Sequence, residues 1–156
     1  MSDTRPTVIS VNISSGGIPK LPVEIGRVTV DGLAGDAHDH DKHNSPIQAI
    51  SLFDLADLDD LRDEGFDVGP GALGENLTVR GLDIEALRPG DRLSLSGGLE
   101  LEYTKVRKPC FVLDAIDPEL KKVIVGRCGG YAKVITPGEV RAGDTINVEH
   151  GTAQRV

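Results

Sequence analysis

The amino-acid sequence predicts a mostly β, barrel-like single domain with a few helices. Three observations carry this. Apolar and polar residues alternate in several short runs, as they do in half-buried strands. The 19 glycines and 9 prolines punctuate those runs without low complexity. Finally, Arg88-Pro89-Gly90-Asp91-Arg92-Leu93 and Arg141-Ala142-Gly143-Asp144-Thr145-Ile146 repeat one Gly-Asp turn feeding an alternating strand, a way of joining and closing a barrel. At 156 residues the chain suits one domain, with a core over residues 7–149 and flexible ends.

The elements follow in order. Thr7 to Ile13 alternates as a strand and is broken by Ser14-Ser15-Gly16-Gly17. Beyond Pro19 and Pro22, Val23 to Val30 reads as a second strand, and Asp31 to Asp36 as a turn. Ala37 to Ser45 is polar, and Gln48 to Leu52 is a third strand. From Leu52 to Glu64, leucines at 52, 55, 58 and 61 with acids between them predict an amphipathic helix that Gly65 ends. Gly69-Pro70-Gly71 opens a loop to Gly74-Glu75-Asn76, before a strand from Leu77 to Arg80. Leu99 to Val106 is a strand that delivers Arg107-Lys108-Pro109-Cys110. Pro109 opens a short helix with Phe111, Val112 and Leu113 on its apolar face, and Asp117-Pro118-Glu119 marks another, with Asp117 as cap. Tyr131 to Ile135 and Thr145 to Val148 complete the sheet.

With no Trp, two Tyr and three Phe, the core must be aliphatic. A net charge of −8 argues against non-specific nucleic-acid binding, which needs clustered basic surface. It leaves room for a small anion held by a few local cations. No apolar run approaches the roughly 20 residues that span a bilayer. Met1 to Pro6 lacks the apolar core of a secretion signal, so a cytoplasmic protein with free thiols at Cys110 and Cys128 is expected.

Cys110 is the residue with the most chemistry. A thiol is a nucleophile or soft-metal ligand only as thiolate, and Arg107, Lys108 and a helix N-terminal position all favour that form. The plainer reading is a small buried hydrophobe. Its distance from Cys128 is far from a C-x-x-C pair. Cys128 sits in Gly126-Arg127-Cys128-Gly129-Gly130, which is either an anion-binding loop with Arg127 as donor fork or a tight turn. His38, His40 and His43 alternate with Asp36, Asp39 and Asp41, and read as either a divalent-metal site or a solvated polar loop. In Gly74-Glu75-Asn76-Leu77-Thr78, the carboxylate and amide can read a heterocycle, or Asn76 can cap the turn.

Together these segments resemble the MOSC domain, named for the molybdenum cofactor sulfurase C-terminal region. The matching stretches are Gly17-Ile18-Pro19-Lys20, Gly32-Leu33-Ala34-Gly35-Asp36 with His38, and His43 followed by Gln48-Ala49-Ile50. Further on come Gly74 to Thr78, Arg107 to Cys110, and Gly126-Arg127 through Tyr131, all in the family's order. The resemblance runs from about Val8 to Val148, and G-E-N-L-T and R-K-P-C are its specific segments. One departure is His43-Asn44-Ser45, where many relatives carry His-Gly-Gly.

The resemblance implies a mostly β, barrel-like fold and association with molybdenum cofactor (molybdopterin), a pterin bearing a phosphate and a dithiolene-bound metal. It puts the metal-ligating or sulfur-carrying role on Cys110. Arg107, Lys108 and Arg127 are then candidates for oxyanion or phosphate, Lys20 and Arg80 weaker ones for the pterin phosphate, and Glu75 and Asn76 for the ring; His43 lies in the phosphate-near loop. The sequence carries no desulfurase domain with a pyridoxal-phosphate lysine, and no ferredoxin or flavin segment. The expectation is a carrier of cofactor or sulfur for molybdoenzymes, partnered by them or by cofactor-biosynthesis proteins. The alternatives are a reductase component for N-hydroxylated compounds served by separate electron donors, and a scaffold without cofactor.

Overall fold

The computed structural model describes residues 5–14, 20–36, 49–107, 116–125 and 127–150. Lys108, Pro109, Cys110, His38, His40, His43 and Gln48 lie outside them. Strands dominate, in two sheets. The larger is built from β1 (Thr7–Ile13), β2 (Leu21–Val23), β5 (Ile50–Asp54), β6 (Leu77–Arg80), β7 (Arg92–Leu95), β8 (Glu100–Val106), β9 (Gly130–Thr136) and β11 (Ile146–Glu149), in the order β11-β7-β8-β9-β5-β6-β1-β2. The smaller pairs β3 (Gly26–Thr29) with β4 (Gly32–Leu33) and β10 (Gly138–Val140).

Among the described residues the named strands pair antiparallel except β5 with β6, where Leu52 faces Leu77; one isolated bridge, Gly98 with Glu139, is also parallel. A parallel pair needs a crossover, supplied here by α1 (Leu55–Asp63) and the loop after it. Asp54 caps α1, its carboxylate accepting from the Ala56 amide at 3.0 Å. The helix therefore begins three residues later than its leucine period suggests. Leu52 and Phe53 are buried in a central strand, and that packing overrides the period. Leu58 and Leu61 are fully buried, and Gly65 ends the helix as expected.

The run Val23 to Val30 is divided rather than continuous. β2 belongs to the large sheet and β3 to the small one, with Glu24-Ile25 between them. Gly26 allows the change of sheet because a Cβ there would press on the side chains of Leu33 and Val11. The residues read as a turn contain the two-residue β4, and β10 lacks the alternation that would have announced it. Asp117 accepts from the Glu119 amide at 2.8 Å ahead of the short α2 (Leu120–Val123).

Two apolar cores result. One is aliphatic with Tyr103, between the sheets; the other gathers Phe53, Leu58, Leu61, Leu73, Leu120, Ile124 and Cys128 beneath the helices.

The ladders of the large sheet do not run on into a closed barrel, but its ends are tied. Thr7 bridges Thr145, Val8 N donates to Asp144 O, Gly143 N to Val8 O and Ile146 N to Pro6 O, each at 2.8 Å. The Gly143-Asp144 turn makes this barrel-like tie, while the Gly90-Asp91 turn reinforces the neighbouring strand β8. In each, the aspartate carboxylate accepts from the backbone amide three residues earlier, Arg88 at 3.0 Å and Arg141 at 3.1 Å. Gly90 and Gly143 both sit at φ 98°, where a side chain is strained. Each turn then docks on a neighbouring strand by the same pair of bonds, onto Tyr103 in one case and Val8 in the other. The copies differ in burial: Asp91 is fully buried, whereas Asp144 is partly exposed. Asp91→Ala is expected to cost about 2 to 3 kcal/mol and Asp144→Ala about 1 kcal/mol, measured by urea denaturation. Equal losses would show that burial does not distinguish the two turns.

Candidate functional site

Buried polar side chains locate the site. Among the described residues, Ser10, Asn12, Ser51, Glu75, Asn76 and Thr78 are buried and form one connected network where β1, β5 and β6 meet. Buried polar groups require partners, so each fixes the next. Asn12 Nδ2 donates to Glu75 O and Thr78 Oγ1, both at 3.2 Å, and Ser10 Oγ donates to Asn12 Oδ1 at 2.6 Å. Asn76 Oδ1 accepts from the Ser51 amide at 3.0 Å, while its Nδ2 donates to Asp36 Oδ2 at 3.0 Å. The Asn76 side chain thus braces three segments.

Glu75 is fully buried. Its Oε2 accepts from the Gly71 amide at 3.0 Å and the Thr78 hydroxyl at 2.7 Å, while Oε1 has no hydrogen-bond partner among the described residues. Burial pushes its carboxyl above the ordinary range, against the pull of those two donors and of the Arg107 charge. Arg107 stands just past β8, its amide donating to Gly129 O at 3.0 Å. Its Nη2 donates to the Leu73 carbonyl, and its Nη1 is buried with no partner among the described residues. The two most distinctive sequence segments therefore converge on residues 71–75. Gly71 permits the convergence: it lies at φ 83°, and a Cβ there would collide with the Lys20 carbonyl and Asn12.

The other candidates are distributed differently. Lys20 Nζ pairs with Asp36 Oδ2 at 2.5 Å, and its amide donates to Gly71 O at 2.8 Å, which joins it to the same cluster. Arg127 grips Glu64 with two nitrogens, at 2.6 and 3.0 Å, and donates to Val123 O. That bond holds the Glu64 carboxyl below its ordinary range. Its guanidinium thus links α2 to the end of α1. Arg80 is exposed at the far end of β6, about 13 Å of strand from Asn76. Lys108, Cys110 and His43 lie outside the described residues.

Asn12, Ser51 and Asp36 carry more of the network than the sequence indicated. Ser10 and Asn12, two apart in a strand and hence on one face, are the local signal for a polar inward patch.

A second polar group lies at the start of α1. Carboxylate oxygens of Asp54, Asp57 and Glu85 lie within 4.8 Å of one another. Burial, with a hydrogen bond and like charge from Glu85, pushes the Asp57 carboxyl up to about 8 from 3.8. A folded state that binds a proton more tightly than the unfolded chain loses stability as pH rises. The contribution of Asp57 is complete below its unfolded value of 3.8 and lost as pH approaches about 8. Asp57→Asn is expected to flatten this part of the stability–pH curve, measured by thermal melts across that range. Parallel curves for variant and wild type would refute the assignment.

A barrel-like β domain with a polar, partly unsatisfied cluster at one end of its parallel strand pair defines the class of this protein. Residues 39–147 match the MOSC domain, and the chain belongs to that family. It is similar to a protein named reductase from Gibberella moniliformis, 32% identical over 127 residues, or 75% of this chain. The chain spans 22% of that curated relative's length. Among solved structures, YiiM from Geobacillus stearothermophilus superposes with a TM-score of 0.77 at 22% identity, covering 93% of this chain and 75% of that one. The YUAD protein from Bacillus subtilis gives 0.76 at 21%, covering 92% and 95%. At these identities the two structures speak for the fold.

Proposed function

We propose that this MOSC domain binds molybdenum cofactor, takes its metal through the Cys110 thiolate, and passes cofactor or sulfur to molybdoenzymes. The observation that carries the reading is that Arg107 and Glu75 bond the same loop, at Leu73 and Gly71. They belong to the family's two specific segments, they converge on residues 71–75, and each retains one buried atom without a partner. An unpaired buried N–H or carboxyl oxygen is costly, so natural structures keep such atoms rarely. A donor and an acceptor left open on groups that bond the same loop suit a ligand with both an oxyanion and a heterocycle. The fit is therefore good on chemistry.

In this reading Arg107 Nη1 and Lys108 hold the anionic part and Glu75 the polar edge of the ring. His43 lies near the phosphate, and Cys110 supplies a soft sulfur suited to molybdenum. Arg127 and Asn76 are weaker contributors, since both are engaged within the chain. Arg80 is the weakest on position, and Lys20 acts beside its Asp36 partner. When bound, the cofactor supplies two-electron redox chemistry and a site for sulfur exchange. The chain's own part is to bind and orient it. No helix among the described residues is long and apolar enough to cross a membrane. A cytoplasmic setting with reduced thiols suits the role of Cys110.

A second reading is favoured by the Gibberella relative, whose name is reductase. The cofactor-loaded domain would then serve reduction of N-hydroxylated compounds, with electrons from separate proteins. Turnover of an N-hydroxylated base with a supplied donor, lost in Cys110→Ala, would favour it over a carrier.

The test common to both is direct. Protein purified from cells with intact cofactor supply is expected to carry molybdenum and pterin, measured by metal analysis and pterin fluorescence. Cys110→Ser is expected to lose most of the metal. Equally low loading of wild type and variant would defeat the proposal.

A further inference from the structure

We propose that Asp36 is a positioning residue of this site, acting through Ser14, Lys20 and Asn76, and that its carboxylate decides how firmly the site holds its ligand. The proposal rests on the cofactor-binding reading above and adds the element that organises it. The Asp36 side chain is only 3% exposed, and the Lys20 side chain that pairs with it 12%. Its Oδ1 accepts from the Ser14 amide at 2.9 Å; its Oδ2 accepts from Lys20 Nζ at 2.5 Å and Asn76 Nδ2 at 3.0 Å. One carboxylate, three residues past β4, thus gathers the end of β1, the entry to β2 and the start of β6.

Two consequences give it control over the site. The first concerns the Asn76 amide. A carboxylate only accepts, so it draws the NH2 of Asn76 towards itself and leaves Oδ1 for the Ser51 amide at 3.0 Å. Without that acceptor the NH2 keeps only its longer bond to the Asn12 carbonyl at 3.4 Å, so the amide is held less firmly in the orientation that Ser51 requires. The second runs through Lys20. Its ammonium is held by Asp36, and its own amide donates to Gly71 O at 2.8 Å. Gly71 in turn donates to Glu75, and two residues on Leu73 accepts from Arg107. Asp36 therefore sits at one end of a contiguous run of contacts whose other end holds the two unpartnered atoms. Because the pair is largely buried, removing either partner leaves an uncompensated charge and not merely a lost surface contact.

The experiment uses the full chain. Asp36→Asn keeps the shape but removes the charge and one acceptor. Amide hydrogen exchange is expected to quicken about tenfold or more at Ser14, which loses its acceptor directly, and also at Lys20, whose amide bond to Gly71 the substitution does not touch. Amides of the β7–β11 ladder are expected to keep wild-type rates. Retained molybdenum and pterin are expected to fall about fivefold or more at a temperature where circular dichroism shows the variant fully folded.

Exchange that quickens at Ser14 alone, or nowhere, overturns the proposal. So does undiminished loading of Asp36→Asn when wild type is loaded, an outcome that leaves the cofactor reading standing. If wild type carries no cofactor, that reading fails instead, and concerted exchange at Ser14 and Lys20 still decides whether Asp36 organises the cluster. Should Asp36→Asn not fold, Lys20→Met removes the ion pair while Asp36 keeps its bonds to Ser14 and Asn76. Faster exchange at its residue-20 amide with reduced loading supports the proposal, and wild-type behaviour in both overturns it.

Discussion

The constraint on which the structure depends is the requirement that polar groups placed among aliphatic side chains find partners within the chain. Asn76 meets it most fully. Its amide faces Ser51 on one side and Asp36 on the other, and its backbone carbonyl accepts from Asn12 at 2.7 Å. That arrangement is possible because β5 and β6 run parallel, which sets the start of β6 against the start of β5 instead of its end. In an antiparallel pair the same residue would face the other end of the strand. The crossover helix α1 is thus part of the site's architecture although none of its residues enters the polar network. Leu58 and Leu61 anchor that helix in the second core, and Leu73 belongs to the same core, so the loop that offers its carbonyl to Arg107 is held from below by apolar packing.

Within this network satisfaction is incomplete at two atoms, Glu75 Oε1 and Arg107 Nη1; among the described residues the third such atom is Asp57 Oδ2, in the separate acidic group at the start of α1. Everything around the first two is well bonded, and this makes the incompleteness informative. A loosely packed region would lack partners at many atoms at once. Here the network stays open at a carboxyl and a guanidinium that bond one loop, groups whose partners in a ligand would be a donor and an oxyanion. The placement of Asp36 fits the same logic, because an ion pair of low exposure stiffens the segments it joins more than a surface pair does.

Much of the fold was legible because it depends on local pattern. The strand from Leu77 to Arg80, the helix stop at Gly65 and the twin Gly-Asp turns all rest on neighbouring residues. Legibility ended where distant segments decide. Leu52 and Phe53 fit a helical period as well as a strand, and only burial between β9 and β6 resolves them. Val23 to Val30 reads as continuous because nothing local shows that Gly26 must pass close to Leu33 and Val11. The site divides in the same way. Arg107 and Glu75 stood out by their motifs, whereas Asn12 and Ser51 are ordinary strand residues whose partners lie 63 and 25 positions away. The residue whose chemistry is most suggestive, Cys110, was found by composition and neighbourhood, and its reading still rests on those.

The bond between Pro6 and Ile146 has a further consequence. It brings the first and last parts of the described fold side by side. A module whose two ends emerge together can be spliced into a larger polypeptide at a single point, with no strand having to be pulled away to make the connection. The same compact unit can then recur as a minor portion of a much longer enzyme, deriving its architecture from within and its chemistry in part from its neighbours.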